Sequence, residues 1–101
     1  MIRNAYIRKI EARLERLTRE IESASTRAGE FTAEARAVLG QQLDGIRGKA
    51  ETVHRKIRDI RAAKVSDWGR LKSGVEEALD DLKQAVDSVV RRLRKTGSDD
   101  R

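Results

Sequence analysis

Few residues in this chain could do acid–base, nucleophilic or metal chemistry. His54 is the single histidine and there is no cysteine, so a zinc site would have to be built from carboxylates. Ser25, Thr26 and Ser66 carry hydroxyl groups, but no base or oxyanion pocket is built nearby to activate them. We therefore predict no catalytic residues, no metal ligands and no cofactor-binding residues. The chain is not expected to be an enzyme or to have a small-molecule substrate.

One group of carboxylates has the residue types of a general acid and base. It comprises Glu76, Glu77, Asp80 and Asp81. These residues form two like-charge pairs four positions apart, a spacing that disfavours a helix unless basic groups lie opposite. The pattern is typical of an acidic helix face that awaits basic neighbours.

Basic residues are in excess and could contact anions. The net charge is +6 and the pI is about 10.2. Phosphate contacts could come from Arg47, Arg55, Lys56, Arg58, Arg61 and Lys64. Because Asp44, Glu51 and Asp59 interrupt them, we expect only weak, salt-sensitive nucleic-acid binding. Contacts with an anionic membrane surface could come from Arg91, Arg92, Arg94 and Lys95.

Apolar residues spaced by alternate steps of three and four predict the helices that carry these side chains. The first apolar ladder contains Ile7, Ile10, Leu14, Leu17, Ile21, Ala24, Ala28, Phe31, Ala35 and Val38. The pattern then resumes one residue late, in Leu39, Leu43, Ile46, Ala50, Val53, Ile57 and Ile60. This shift either turns the second seam toward another partner, or cancels the drift of about 20° per heptad and keeps a straight helix on one neighbour. Gly40, Gly45 and Gly48 beside it mark a weak stretch of helix or the close approach of a partner backbone.

The last segment repeats every eleven residues. Trp68, Leu71 and Val75 recur as Leu79, Leu82 and Val86, and the pattern begins again at Val90 and Leu93. Eleven residues make three turns at about 3.67 residues per turn, so the apolar stripe runs nearly straight along a helix. The stripe is wide enough to touch two helices or a lipid surface, and core packing is the commoner cause.

The chain is predicted to fold as an all-α antiparallel coiled-coil hairpin. A single helical coiled-coil domain over residues 1–95 would contain a long helix over about 2–63 and a second over about 67–95. Ser66 would cap the second helix, and Thr96-Gly97 would end it before a flexible tail, 96–101. The alternative is a three-helix bundle with turns near 29 and 66, although the heptads run straight through the stretch from Ser23 to Thr32.

In the hairpin the first seam has no partner within the chain. We therefore predict a homo-oligomer, most simply a twofold dimer. Its self-association seam is predicted to contain Ile7, Ile10, Leu14, Leu17, Ile21 and Phe31. The predicted function is a non-enzymatic interaction or scaffold protein with an unknown protein partner. The alternative is an amphipathic-helix binder of anionic surfaces, membrane lipid ahead of nucleic acid, for which stress-protective proteins with eleven-residue repeats are a parallel.

One stretch resembles a known family. Residues 65–85 contain the pattern Trp68-x-x-Leu71-Lys72-x-Gly74-Val75-Glu76, which is similar to the C-terminal signature of small bacterial coiled-coil proteins of unassigned function. The resemblance implies a helical fold, no enzyme activity and no known cofactor. The chain departs from that family in having Leu79 where a second aromatic residue is common, and in being more basic. Without a signal peptide or an apolar run of about 20 residues, we expect a cytoplasmic protein.

Overall fold

The fold is a bundle of three helices. The structure, a computed structural model, describes residues 2–99, with side chains for residues 3–94. Within that range the chain forms α1 (Ile2–Ala28), α2 (Ala33–Ala62), a 3-10 turn (Val65–Asp67) and α3 (Trp68–Asp99). Each helix packs against the other two, and the molecule measures 55 × 20 × 16 Å. The all-α prediction is confirmed.

The directions of the helices follow from contacts between residues far apart in sequence. Arg47 donates a hydrogen bond to Ser25 at 3.2 Å, near the end of α1, whereas Arg61 pairs with Glu11 near its start. The first two helices are therefore antiparallel. Lys49 pairs with Asp81 at 2.6 Å, and the Trp68 indole donates to the Ile60 carbonyl at 3.2 Å, so α2 and α3 are also antiparallel.

The helix predicted over residues 2–63 is interrupted at residues 29–32, so the three-helix alternative describes the chain. The backbone N–H groups of Gly29, Glu30 and Phe31 each donate to a carbonyl three residues earlier. Thr32 then leaves the helical conformation, with φ −61° and ψ 162°. Its hydroxyl accepts a hydrogen bond from the Ala35 N–H at 3.3 Å. This N-cap satisfies an otherwise unpaired donor at the start of α2, which the heptad pattern alone does not reveal.

The second reversal lies where the sequence predicts it, near residue 66, but its details differ. Ala63 and Lys64 are extended, with ψ of 151° and 153°. Ser66 was expected to cap α3; it lies instead inside the 3-10 turn, and the α-helix begins at Trp68. The turn is closed by a hydrogen bond from the Asp67 N–H to the Lys64 carbonyl at 3.0 Å. A backbone hydrogen bond of the 3-10 turn, and not the Ser66 side chain, therefore precedes the start of α3.

The apolar patterns of the three helices meet in one core. Its buried members are Ile7, Ile10, Leu14, Leu17, Ile21, Ala24, Ala28, Leu39, Leu43, Ile46, Val53, Ile57, Ile60, Val75, Leu79, Leu82, Val86, Val89 and Leu93. No polar or charged side chain in the described range is buried among them. The eleven-residue stripe of α3 therefore packs against both other helices.

The seam of α1 has a partner within the chain, contrary to the expectation behind self-association. Ile10 and Leu14 are 1% and 3% exposed, and Ile7, Leu17 and Ile21 are equally enclosed. Phe31, the last residue of the predicted seam, is half-buried beside the core. The turn at residues 29–32 causes this difference because it folds α1 back along α2 and α3. Self-association through this seam stays a prediction, but the reason given for it, a seam with no partner within the chain, no longer holds.

The shift of phase after Val38 lies inside α2 and not at the turn between α1 and α2. Leu39 is buried, whereas Val38 is 48% exposed. An added Cβ at Gly40, Gly45 or Gly48 would meet no atom within 4 Å. No backbone in the described chain therefore approaches these glycines, and within the chain they only weaken the helix.

The predicted helix stop at Thr96-Gly97 does not occur, because α3 continues to Asp99. Glycine costs an exposed helix only about 1 kcal/mol, which does not force an end. Residues 100 and 101 of the predicted tail lie outside the described residues. None of the helices in the described range has an apolar stretch that could cross a bilayer.

Candidate interaction groove between the first two helices

A shallow groove follows the junction of α1 and α2. It consists of three adjoining depressions of about 540, 470 and 260 Å³. Glu11 lines all three. The floor is formed by Ile7, Leu14 and Ile57, which are 3% to 6% exposed and leave little apolar surface uncovered. The groove is open to solvent along its length, so it suits an elongated partner better than an enclosed small molecule.

The rim of the groove is rich in arginine. Basic side chains come from both helices, as Arg3, Arg8, Arg55, Arg58 and Arg61. Three carboxylates, Glu11, Glu15 and Glu51, lie among them. Arg61 lies in the last turn of α2, where the helix dipole favours positive charge. The groove therefore has a mixed rim with a basic excess.

Two of the five arginines are already engaged. Arg61 forms an ion pair with Glu11 across the groove. Arg3 donates hydrogen bonds to the carbonyls of Ile60 and Arg61, both at 3.3 Å, and to that of Ala63. These carbonyls lie at the end of α2, where a helix lacks its own donors. Arg3 and Arg61 thus join the start of α1 to the end of α2.

The other three arginines are not neutralised. Within the described residues Arg8, Arg55 and Arg58 form no ion pair. Arg55 contacts only the Thr52 hydroxyl of its own helix, at 3.5 Å. An acidic partner could therefore bind these guanidinium groups without breaking a contact of the bundle.

His54 lies on the same groove but forms no metal site. It is exposed and lines two of the depressions, next to Glu11. No three histidine or carboxylate side chains in the described range come together in a way that could hold a metal ion. The groove offers hydrogen-bonding and charged groups for binding, and none of its groups is paired as a nucleophile with a base.

An aromatic cluster closes one end of the bundle, next to the basic end of the groove. The rings of Tyr6 and Trp68 meet edge to face, with centroids 5.3 Å apart and planes at 67°. The Arg3 guanidinium lies 5.7 Å from the centroid of the Trp68 ring. The Lys72 ammonium lies 4.9 Å from the centroid of the Tyr6 ring. These two cation–π contacts fix the start of α1 against the start of α3.

The Tyr6 hydroxyl is enclosed without a partner. No group in the described chain accepts a hydrogen bond from it or donates one to it in good geometry, although the Glu76 carboxylate lies near enough to act on it. Burial, and second the negative charge of Glu76, raises the pKa of Tyr6 to about 12. The phenol therefore stays protonated at neutral pH, and it acts as a packing group in the cluster.

The predicted acidic cluster is divided between two neighbours. Asp80 pairs with Arg13 of α1 at 3.5 Å, and Asp81 pairs with Lys49 of α2 at 2.6 Å. Glu76 faces Tyr6. The expected basic neighbours of this acidic helix face are present, and its carboxylates help to hold α3 against both other helices.

The predicted anionic-surface contacts do not line the groove. Arg91, Arg92 and Arg94 are exposed on α3, and the Lys95 side chain lies outside the described residues. Of the predicted phosphate contacts, Arg47 pairs with Asp44 at 3.4 Å, whereas Arg55, Arg58 and Arg61 reach the groove. The structure therefore divides the basic residues into two separate groups.

Sequence reasoning missed the contributions of Arg3, Tyr6 and Arg8. Arg3 lies 57 to 60 positions from the carbonyls it binds, and no local pattern connects them. Only the turn at residues 29–32 brings the start of α1 to the end of α2. The single tyrosine and single tryptophan of the chain were a weak signal, because isolated aromatic residues on helices often pack together.

Comparison with protein-family models, curated proteins and solved structures finds no match to this chain. The resemblance to small bacterial coiled-coil proteins therefore stays a prediction from the signature of α3.

Proposed function

We propose that this protein is a non-enzymatic interaction module that binds an acidic segment of another protein in the groove between α1 and α2. The observation that carries this proposal is the set of three arginines without an ion pair on its rim, Arg8, Arg55 and Arg58. A helix lying in a groove is a common mode of peptide recognition.

The mixed rim favours a protein over a nucleic acid. Glu51 lies beside Arg55 and Arg58 and forms no ion pair within the described residues, so it would repel the uniform negative charge of a phosphate backbone. A protein segment can place acidic side chains against Arg55 and Arg58 and a basic one against this carboxylate. Because the floor is nearly covered, charge supplies most of the affinity, and binding should weaken as salt rises.

Charge reversal with a matched control tests the proposal. The double variant Arg55→Glu/Arg58→Glu should lower affinity for the partner at least tenfold, because two attractive contacts become repulsive. The control Arg91→Glu/Arg92→Glu changes the net charge equally on exposed positions of α3 and should retain binding. The partner is captured in cells of the native host with a photo-crosslinking amino acid in place of His54, an exposed groove residue, compared with one in place of exposed Gln84.

The outcomes are distinct. The proposal is supported by a polypeptide that is captured from residue 54 and not from residue 84, and whose capture is lost with Arg55→Glu/Arg58→Glu but retained with Arg91→Glu/Arg92→Glu. Equal capture at both positions contradicts it. Capture of nucleic acid, or equal effects of the two double variants, would place the protein instead among general binders of anions.

A further inference from the structure

The apolar ladder of α1 continues across the turn and emerges on the surface. Ala24 and Ala28, before the turn, are 4% and 6% exposed. Beyond it, Phe31 and Ala35 are only half-buried, and Val38 is 48% exposed. We call Phe31, Ala35 and Val38 the exposed strip. The exposed strip continues the buried seam, but no other segment of the described chain fully covers it.

The register of α1 against α2 explains why the exposed strip is uncovered. The contacts Glu11 with Arg61 and Ser25 with Arg47 are both centred on residue 36. The first turns of α2 would therefore face residues 32–39 of an antiparallel neighbour. Because α1 ends at Ala28, no segment of the same helix reaches that position, and the start of α2 overhangs.

The turn departs little from a helix. Hydrogen bonds between residues three apart continue as far as the Phe31 N–H, and no described residue has a positive φ. At Thr32 the φ of −61° is already helical, and only the ψ of 162° is not. Rotation about this one bond would bring Thr32 into the helix, with loss of the hydrogen bond from the Ala35 N–H to its side chain.

We propose that a second copy of this chain covers the exposed strip in a domain-swapped dimer. In it, α1 and α2 join into one long helix, and α1 of each copy packs on α2 and α3 of the partner copy. The contacts of α1 with α2 and α3 are kept, now between chains, and the contacts between α2 and α3 stay within each chain. If the register is kept as well, the twofold axis passes near residue 36, so the exposed strips of the two copies face each other. Short hinge loops between exchangeable elements commonly allow such swaps.

Two substitutions at the hinge separate the states. Thr32→Ala removes the N-cap from the monomer, and the swapped dimer does not use that cap. The dimerisation constant should rise about 10- to 100-fold, because a cap is lost from each of two monomers. Ala33→Pro fits the monomer, since proline is favoured at the first helical position after an extended residue. Inside a continuous helix the same proline removes a hydrogen bond and clashes.

Sedimentation equilibrium on the full chain measures the result. We expect a concentration-dependent dimer for wild type, more dimer for Thr32→Ala and monomer alone for Ala33→Pro. Circular dichroism checks that each variant is folded. A dimer of equal strength in Ala33→Pro, or monomer alone in both wild type and Thr32→Ala at millimolar concentration, would overturn the proposal.

An intrachain distance provides a second measurement that does not depend on the variants. The chain lacks cysteine, so spin labels can be placed by Glu22→Cys and Gly48→Cys at exposed positions. In a continuous helix these sites are about 39 Å apart. In the monomer they lie on neighbouring helices whose axes are about 10 Å apart. The labelled chain is diluted with unlabelled chain at a concentration where dimer forms. A dimer with only the short distance would contradict the swap.

Discussion

At the scale of single residues, several charged side chains connect one helix to another. Arg3 satisfies carbonyls at the end of α2, and Arg13 and Lys49 each hold one aspartate of α3. These exposed ion pairs contribute about 0 to 1 kcal/mol each, so they select the arrangement of helices more than they stabilise it. Arg58 differs because it has no such contact.

The ionisation of Tyr6 tests the aromatic cluster. Tyr6 is the only tyrosine, so the near-ultraviolet absorbance of phenolate reports this residue alone. We expect a pKa of about 12 in the folded chain and about 10 in denaturant. Since the folded pKa is the higher one, the contribution of Tyr6 to stability is complete below pH 10 and is lost as pH rises toward 12.

Two variants provide the controls for this titration. Glu76→Gln should lower the folded pKa of Tyr6 only in part, because burial is the larger cause. Tyr6→Phe should reduce the loss of unfolding free energy between pH 10 and 12. A folded-state titration at about pH 10, with the helix retained by circular dichroism, would show that the hydroxyl is not enclosed.

At the scale of helices, the sequence predicts which faces are buried better than where the helices end. The burial of residues such as Leu43, Val53 and Leu82 is predicted by apolar spacing, because burial of one face is a local property of a helix. Apolar spacing does not predict the turn at residues 29–32, because the ladder from Ile7 to Val38 keeps its phase across that turn. The N-cap at Thr32 marks the start of α2 there.

The groove could be predicted only in part for the same reason. The basic residues of α2, including Arg55, Arg58 and Arg61, were recognised from composition. Their neighbours Arg3, Arg8 and Glu11 were not, because they reach the groove only after α1 folds back. A pattern within one helix cannot reveal a rim that two antiparallel helices share.

Substitution of two exposed glycines tests whether they serve a purpose within the chain. Gly45→Ala and Gly48→Ala should each raise the free energy of unfolding by about 0.5 to 1 kcal/mol, because alanine loses less backbone entropy in a helix. The added methyl groups meet no atom within 4 Å. Urea denaturation measures the change. The matched control Gly74→Ala lies on α3, where the added carbon would be 3.7 Å from the Lys56 ammonium. Its free energy of unfolding should rise by no more than that of the other two variants. Destabilisation at residue 45 or 48 would show a close contact that the bundle lacks.

At the scale of the whole molecule, the bundle encloses the stripe that an anionic membrane would need. Leu82 and Val86 are 0% and 1% exposed, and Trp68 is held by its hydrogen bond to the Ile60 carbonyl. To offer this stripe to lipid, α3 would have to separate from both other helices. Each large apolar side chain so exposed costs about 1.5 to 3 kcal/mol, so lipid has to compete with the whole core.

Fluorescence of the single tryptophan distinguishes a closed bundle from one that opens on a membrane. We expect the emission of Trp68 to stay nearly unchanged on addition of anionic or neutral vesicles at physiological salt, because the closed bundle already buries the stripe. Arg91 and Arg92 remain exposed and could attract anionic vesicles at low salt, but such contact does not require Trp68 to move. A large blue shift with co-flotation, lost in Arg91→Glu/Arg92→Glu and retained in Arg55→Glu/Arg58→Glu, would contradict the closed bundle. It would also favour binding of anionic surfaces over the proposed protein partner, since the two double variants would then have exchanged their expected effects.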